Sequence, residues 1–442
     1  MLGGASAVAA DDHIIGNSSA AAALTWEQAT KTAVTQQPLI KAAQHEALES
    51  QAVTKQIESA NYPQVTGIWA NSGGNTRVLA NLGISGSLPK PTNYLTTPGV
   101  RADFLITDFG QTAHRILSQK SLAAAAEKAV LTAKALVILN VQQAYLNCLK
   151  QQRLVEIARE ILNERDLIRQ QTEAFYRRQL RSKLDLEFAS VEVNRAEVVL
   201  IKAQNNLTLA FAALNTAMGL QRRDPYTLEQ TGGAPVVTGV TPESLVKDAL
   251  DRRPELLGSQ DRMQAAEEAL KSAKALRFGS VTAIGTLGYS WWAHEERPSG
   301  NEVSNPGAKL GWYGVGGTSS FPLYTGGRID GQIDEADARR GETQASTRAI
   351  ANDIVLQVAQ AYFSRLTAGQ QITVAEEKVT LAREALTLAR ERYKAGLGSI
   401  LDVTTATAGL LSAEVELAEA QYEYRASDAA LAFATGAEYG RY

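Results

Sequence analysis

The sequence predicts a mainly α-helical protein with a small β part, arranged as a tandem repeat of long coiled-coil helical hairpins. Three observations carry this prediction. The chain of 442 residues is an internal duplication. Each copy contains one long helix-forming stretch that is almost free of proline and glycine, and one short region whose side chains alternate in strand fashion. Helices of that length pack as coiled coils rather than inside a globular core.

The duplication is visible as matches at a nearly constant offset. The segment from Tyr176 to Asp185 matches Tyr393 to Asp402 at 217 residues (393 − 176). Further matches at this offset, or one residue short of it, are Pro38 with Pro254, Phe104 with Phe321 and Tyr145 with Tyr362. We therefore expect two copies of one unit, 24–219 and 241–436, joined by a linker at 220–240 and followed by a C-terminal tail at 437–442.

Composition excludes several function classes. The 44 basic and 47 acidic residues give a net charge of −3, so no nucleic-acid partner is expected. One cysteine, Cys148, excludes an intramolecular disulfide and a cysteine-rich zinc site. The four histidines lack ligand spacing, and no phosphate-binding loop is present, so we expect no enzyme, no cofactor and no metal. No uncharged apolar run is long enough for a transmembrane helix.

The N-terminal extension, 1–23, resembles the end of a secretory signal. Ala7-Val8-Ala9 has the small-x-small cleavage pattern and is followed by Asp11 and Asp12. A basic segment and most of an apolar core are missing. The extension is therefore either a signal remnant or an ordinary N-terminal segment.

Each copy opens with two helices that proline separates. The first copy predicts helices at 26–36 and 38–60, and the second predicts them at 242–252 and 254–276. Pro38 and Pro254 disfavour a helical residue before them but suit a first helical turn.

The β-like regions are predicted as hairpins at 63–108 and 279–323. From Val281 to Trp291, apolar or small residues alternate with Thr282, Thr286 and Ser290. These strands contain four tryptophans, which either pack a soluble sheet or lie in an aromatic belt at a membrane interface: Trp69, Trp291, Trp292 and Trp312. Two hairpins cannot close a barrel alone, so closure would require several chains.

Long helical hairpins are predicted at 110–218 and 327–435. The return helix of the second copy has large residues seven apart, from Val403 through Leu410 to Leu431, with Ala, or Ser427 once, three residues after each. The first copy repeats this pattern from Leu186 to Leu214. A strict heptad with a column of small residues lets two helices approach closely in a coiled coil.

The long and return helices meet at two tips, which we call the first tip (177–183) and the second tip (394–400). Ser182 precedes Asp185 by three residues, and Ser399 precedes Asp402 by three, which is capping-box spacing. The aspartates are either helix caps alone or, if symmetry gathers the tips on an axis, also a ring of six acids that attracts cations and constricts a pore.

Several motifs give the chain a resemblance to a known family. They are Leu24-Thr-Trp-Glu-Gln-Ala, Pro322-Leu-Tyr-Thr-Gly-Gly-Arg328 and Ala395-Gly-Leu-Gly-Ser-Ile-Leu-Asp-Val403, together with the duplication. Over nearly its whole length the chain resembles the TolC family of outer-membrane efflux proteins.

The resemblance implies a homotrimer in the outer membrane of a Gram-negative bacterium. Four strands per chain would form one 12-stranded β-barrel in the lipid, the helices would form a periplasmic α-barrel tunnel, and the linker would lie at an equatorial belt. A periplasmic adaptor protein would dock on the tips and couple the duct to an inner-membrane pump, either of the RND type or of the ABC type used in type I secretion.

The resemblance also suggests site residues. The adaptor-contacting tips would comprise Gly396, Leu397, Gly398 and Ser399, with Leu180 and Ser182 as their first-copy matches; Gln179 replaces the first-copy glycine. Asp402 matches an aspartate of the closed entrance, and Asp185 is its first-copy counterpart. Thr405 occupies a second aspartate position. A gate arginine found in some members is Gly398 here, with Arg181 as its first-copy counterpart, so we expect a weaker or different gate.

Two functions remain open at this point. The first is a passive export duct that an adaptor or pump opens at the tips, and the second is a soluble coiled-coil scaffold without transport activity. A scaffold would not need amphipathic β-hairpins, which favours the duct. The exported substrate is open, because a duct wall is permissive.

Overall fold

The computed structural model describes residues 24–74, 93–221, 226–229, 241–294 and 309–437. In the first copy the elements are α1 (Trp26–Gln36), α2 (Pro38–Glu58), β1 (Gln64–Gly74), β2 (Asn93–Thr107), α3 (Gln111–Arg177) and α4 (Lys183–Ala217). In the second copy they are α5 (Pro242–Arg252), α6 (Pro254–Ala275), β3 (Ser280–His294), β4 (Lys309–Ser320), α7 (Arg328–Lys394) and α8 (Ile400–Ala434).

The predicted fold class is confirmed: helices dominate, and the same order of elements occurs twice. Both long helices have 67 residues and both return helices have 35. The N-terminal extension at 1–23 lies outside the described residues, as do most of the linker at 220–240 and nearly all of the tail at 437–442. The boundaries of the two copies stay a prediction.

Two local differences from the sequence prediction have simple causes. The helices α2 and α6 end before the predicted residues because the chain tightens into short 3-10 turns at Ser59–Asn61 and Leu276–Phe278. The strands extend into 71–98, a segment whose Gly, Asn and Pro residues predict a loop, since β1 reaches Gly74 and β2 starts at Asn93.

The chain divides into two compact units. The first unit contains the described residues of Met1–Lys41, Thr132–Arg253 and Ile354–Tyr442, and the second contains those of Ala42–Leu131 and Pro254–Asp353. The heptads form the core of the first unit: every one of their ten positions in α4 and ten in α8 is buried or half-buried. Ala413 and Val403 are among the fully buried ones, at 0% and 1% exposure. Small and large side chains thus alternate along tightly packed helices.

The second unit holds one antiparallel sheet with strand order β1-β2-β3-β4. The central pairing of β2 with β3 joins the two hairpins and sets Val100 opposite Leu287, while β3 sets Leu287 opposite Tyr313 on β4. Within the described residues, the outer edges of β1 and β4 carry no further strand.

A tryptophan fixes the packing at the middle of the sheet. Trp312 on β4 pairs with Gly288 on β3, and its ring also lies over Gly99 on β2. A Cβ atom at Gly288 would lie 2.5 Å from the Trp312 ring and 2.8 Å from the carbonyl oxygen of Pro98. Neither distance is tolerable, so both neighbours would have to move.

We therefore expect Gly288→Ala to destabilise the folded protein by about 1–3 kcal/mol through overpacking. The measurement is thermal unfolding in detergent micelles followed by circular dichroism. Gly285→Ala is the matched control, because a Cβ atom at Gly285 of the same strand meets no atom within 4 Å. Equal midpoints for the two variants would contradict the tryptophan packing.

Candidate functional site

Both hairpin tips are built on the same cap. At the first tip, Ser182 Oγ accepts a hydrogen bond from the Asp185 amide, and the Asp185 carboxylate accepts one from the Ser182 amide, each at 3.2 Å. At the second tip, the corresponding distances for Ser399 and Asp402 are 3.2 and 2.9 Å. The predicted capping boxes therefore form, and the carboxylate oxygens of both aspartates help to cap the N-termini of α4 and α8.

The two tips also share a left-handed residue. Gly396 has φ of 76°, and Gln179, which occupies the equivalent position, has φ of 60°. Glycine adopts this conformation freely, whereas a residue with a Cβ atom costs about 1 kcal/mol there. The first tip thus keeps the turn of the second despite losing its glycine.

Arg181 ties the first tip to the end of α7. Its Nη2 donates to the carbonyl oxygen of Tyr393 at 2.6 Å, and its guanidinium carbon lies 4.3 Å from the centre of the Tyr393 ring. The Tyr393 hydroxyl lies 3.3 Å from the Thr172 hydroxyl of α3. Because the C-terminal end of a helix is electronegative, the cation, the carbonyl and the ring reinforce one another.

Two arginines, one buried and one partly exposed, connect the hairpins further along. Arg165 of α3 is only 6% exposed, lies 3.0 Å from the Glu192 carboxylate of α4, and donates to the Thr404 carbonyl oxygen of α8 at 3.2 Å. Arg390 of α7 pairs with Glu164 of α3. Burial lowers the pKa of both arginines. Removing the Glu192 carboxylate would leave the buried charge of Arg165 without its partner, which is costly.

The predicted gate residues do not all meet within one chain. Among the described residues, no ion pair joins Arg181 to Asp185 or Asp402, and Thr405 is exposed. Tyr393, the partner that Arg181 does find, was not predicted. In the sequence, Tyr393 could have been noticed by its position: it lies one residue before the second tip, and Tyr176 lies one residue before the first.

The sheet has one continuous apolar face. Paired residues of antiparallel strands point to the same side, so the register assigns the faces. The first face carries Val65, Trp69, Val100, Phe104, Leu287, Tyr289, Trp291, Tyr313 and Val315. The outermost are almost fully exposed, with Tyr313 at 90% and Val315 at 91%. An exposed apolar surface of this extent indicates contact with another apolar phase.

The opposite face is mixed and carries charge. Arg101 and Asp103 form a bidentate pair there, with nitrogen–oxygen distances of 2.9 and 2.8 Å. Trp312 also lies on this face, packed on glycines, whereas Trp69 and Trp291 lie on the apolar face. The structure therefore does not place Trp312 in one belt with those two. The Trp292 side chain lies outside the described residues.

An aromatic cluster at the strand ends was missed by the sequence analysis. Phe109 lies 5.9 Å from Phe278 and 6.5 Å from Phe321, measured between ring centres. All three are about half exposed. In the sequence, only their positions indicate such a cluster. Each phenylalanine lies just outside a strand, where aromatic side chains typically border the apolar band of a membrane barrel.

The cysteine and one histidine, which could in principle react or bind a metal, have structural surroundings instead. Cys148 is fully buried, which raises the pKa of its thiol to about 12. His114 Nδ1 lies 2.6 Å from Glu268. In the described part of the chain, no three His, Cys, Asp or Glu residues group as metal ligands, and no helix there is long and apolar enough to cross a membrane.

The fold matches solved membrane channels. A crystal structure of CusC aligns with a TM-score of 0.77 and 20% identity, covering 93% of this chain and 92% of that one. The outer membrane protein VceC of Vibrio cholerae aligns with a TM-score of 0.78 and 21% identity, covering 93% and 96%. The fold is thus that of the outer-membrane channels.

The chain belongs to the outer membrane efflux protein family, whose sequence profile matches residues 29–220 and again residues 245–437. It is 24% identical over 394 residues to the cation efflux system protein CusC of Escherichia coli K12, covering 88% of this chain and 81% of the relative. It is 25% identical over 293 residues to the outer membrane protein TolC of Vibrio cholerae, covering 65% of each. Membership places it in the outer membrane of a Gram-negative bacterium.

The cap of the second tip should respond to acid. The hydrogen bond from the Ser399 backbone holds the pKa of the Asp402 carboxyl below its ordinary value of 3.8. A lowered pKa in the folded state stabilises the cap above pH 3.8, and this contribution is lost as the pH falls through the folded-state pKa.

We expect the first amides of α8 to lose protection from hydrogen exchange at that acid pH, after correction for intrinsic rates. Asp402→Asn is the control, since its amide oxygen can accept the same hydrogen bond but does not titrate. If both proteins lose protection in parallel, the carboxylate does not control the cap.

Proposed function

We propose that three copies of this chain form the passive exit duct of a tripartite efflux pump or a type I secretion system. The observation that carries this proposal is the sheet: one face is apolar and exposed, and no described residue of the chain adds a strand to either outer edge. Backbone groups at an open edge find no partner in lipid, so the sheet must be completed by other chains. Three chains with four strands each give 12 strands, an even number that suits an outer-membrane barrel.

The size of the apolar face supports this membrane role. From Val281 to Trp291, the strand rises roughly 33 Å at about 3.3 Å per residue. Tilted by about 40°, it spans roughly 25 Å, the height of the apolar band of outer-membrane barrels. Trp69 and Trp291 would border the lipid near one end of this face, and the cluster of Phe109, Phe278 and Phe321 would border it at the other.

The helices carry unpartnered apolar stripes that would join the chains. On α4, Leu184, Val191 and Val198 lie seven apart and are 64%, 47% and 50% exposed. On α7, Val374, Leu381 and Leu388 also lie seven apart and are 67%, 59% and 66% exposed. Heptad stripes of this kind pack against further helices, here those of neighbouring copies in a periplasmic tunnel.

The tips are the proposed periplasmic entrance. Arg181 holds the first tip to Tyr393, while Asp185, Asp402 and Thr405 would line the opening once three chains meet. The tip residues Leu180, Ser182 and Gly396 to Ser399 would contact a periplasmic adaptor, and an inner-membrane pump would supply the energy. The duct itself catalyses no reaction. A coiled-coil scaffold without transport activity would not explain why the sheet has an exposed apolar face.

Assembly can be tested on the α4 stripe. Val198→Glu should prevent or weaken trimer formation, because it would bury a charge between chains. Native mass spectrometry of detergent-solubilised protein measures the oligomer. Thr208→Glu adds the same charge to α4 outside the stripe and should leave the trimer intact. A wild-type monomer, or a stable Val198→Glu trimer, would contradict this interface.

The entrance can be tested by conductance in planar bilayers. Arg181→Ala removes the contacts with the Tyr393 carbonyl and ring, and should raise the single-channel conductance or the open fraction. Arg178→Ala is the matched control, since that arginine is exposed beside the same turn. If the two variants conduct alike, Arg181 does not hold the entrance closed.

A further inference from the structure

The helices next to the sheet follow the order of the strands. Helix α3 continues β2, α6 leads into β3, and α7 follows β4. The Ser118 hydroxyl of α3 donates to the carbonyl oxygen of Ala265 on α6 at 2.8 Å. The Thr347 hydroxyl of α7 donates to the carbonyl oxygen of Ser259, also on α6, at 3.3 Å. Helix α6 is therefore the middle one of three adjacent helices within the second unit.

These three helices border a groove with a volume of about 720 Å³. Its floor is formed by small residues of the middle helix, namely Ala265, Ala266, Ala269 and Ala273. Each helix also contributes one arginine to the lining: Arg115 from α3, Arg262 from α6 and Arg339 from α7. The groove thus combines a floor of small apolar side chains with three guanidinium groups.

The groove carries an excess of positive charge. Glu335 of α7 is the one acid among the described lining residues, and it pairs with Arg339 at 2.7 Å. None of the four acids of α6 lines the groove. Arg115 and Arg262 are exposed, and within the described ranges no acid forms an ion pair with either of them. Two of the three cations are therefore available to a ligand.

The position of α6 indicates which side of a closed tunnel this groove would occupy. In a ring of helices, the middle one of any three neighbours lies farther from the axis than the line that joins the other two. It is therefore recessed on the inner side of the ring and protrudes on the outer side. Because α6 is the recessed floor between α3 and α7, the groove would open into the lumen.

We propose that this groove is a binding site for anionic solutes inside the duct, close to the sheet. The inference rests on the proposed function and adds a solute class to its lumen. Carboxylate, phosphate or sulfonate groups would pair with Arg115 and Arg262, because the planar guanidinium group binds such oxyanions through parallel hydrogen bonds. The alanine floor would leave room for the apolar part of the solute.

A reporter thiol measures the charge of the groove. Ala269→Cys places a thiol at an exposed position of the floor, and the native Cys148 is fully buried. Rates of reaction with an anionic and a cationic methanethiosulfonate reagent are measured on the trimer in detergent, each divided by its rate with free 2-mercaptoethanol. A positive potential of about 1 kT per unit charge would favour the anionic reagent roughly sevenfold at low salt. The preference should shrink at high salt.

Charge removal locates the site. In the Ala269→Cys background, Arg115→Gln/Arg262→Gln should bring the ratio of the two rates close to one, and each single variant should give an intermediate ratio. Arg340→Gln is the matched control, since this residue lies about 100° around α7 from Arg339 and does not line the groove. Equal rates in the parent protein, no reaction of the trimer with either reagent, or a preference that survives the double variant would overturn the proposal.

Citrate tests binding separately from charge. At constant ionic strength, citrate should slow the reaction of the Ala269→Cys trimer with neutral methyl methanethiosulfonate in a saturable manner, and this protection should be lost in the double arginine variant. If the wild-type protein forms a conducting trimer but citrate gives no protection, only the anion site fails. If it forms no trimer in native mass spectrometry, the proposed duct itself fails.

Discussion

The open outer edges of β1 and β4 are the constraint on which the rest of the structure depends. A four-stranded sheet with one apolar face can enter lipid only if every backbone amide and carbonyl group finds a partner. Within the described residues this chain does not supply those partners. The exposed stripes of α4 and α7 would serve the same proposed assembly, since apolar heptad stripes pack against further helices.

Much of the fold could be predicted because its signals are local. The heptads of α4 and α8 place the buried face, and the Ser-x-x-Asp spacing sets the first residue of both helices. The prolines fix the breaks between α1 and α2 and between α5 and α6. Each of these features depends on residues within a few turns of one another, so the sequence contains the full pattern.

The site was less predictable because its contacts join distant parts of the chain. The hydrogen bond between Arg181 and Tyr393 spans 212 residues. Nothing in the residues around Arg181 indicates a carbonyl at the end of another helix as its partner. The sequence groups Trp312 with Trp69 and Trp291 as candidates for an aromatic belt because all three fall in predicted strands, and this grouping does not say which face each ring occupies. Only the pairing with Gly288 decides its side.

The ring of Trp312 occupies space that two glycines leave empty, and this limits the order in which the sheet can change during evolution. A Cβ atom at Gly288 would lie 2.5 Å from the ring and 2.8 Å from the Pro98 carbonyl oxygen, so a smaller residue at position 312 removes the nearer of two obstacles. During evolution, a smaller residue must therefore replace the tryptophan before larger residues can replace the glycines. Relatives with a larger residue at position 99 or 288 should therefore also lack the tryptophan, whereas relatives without the tryptophan can keep both glycines.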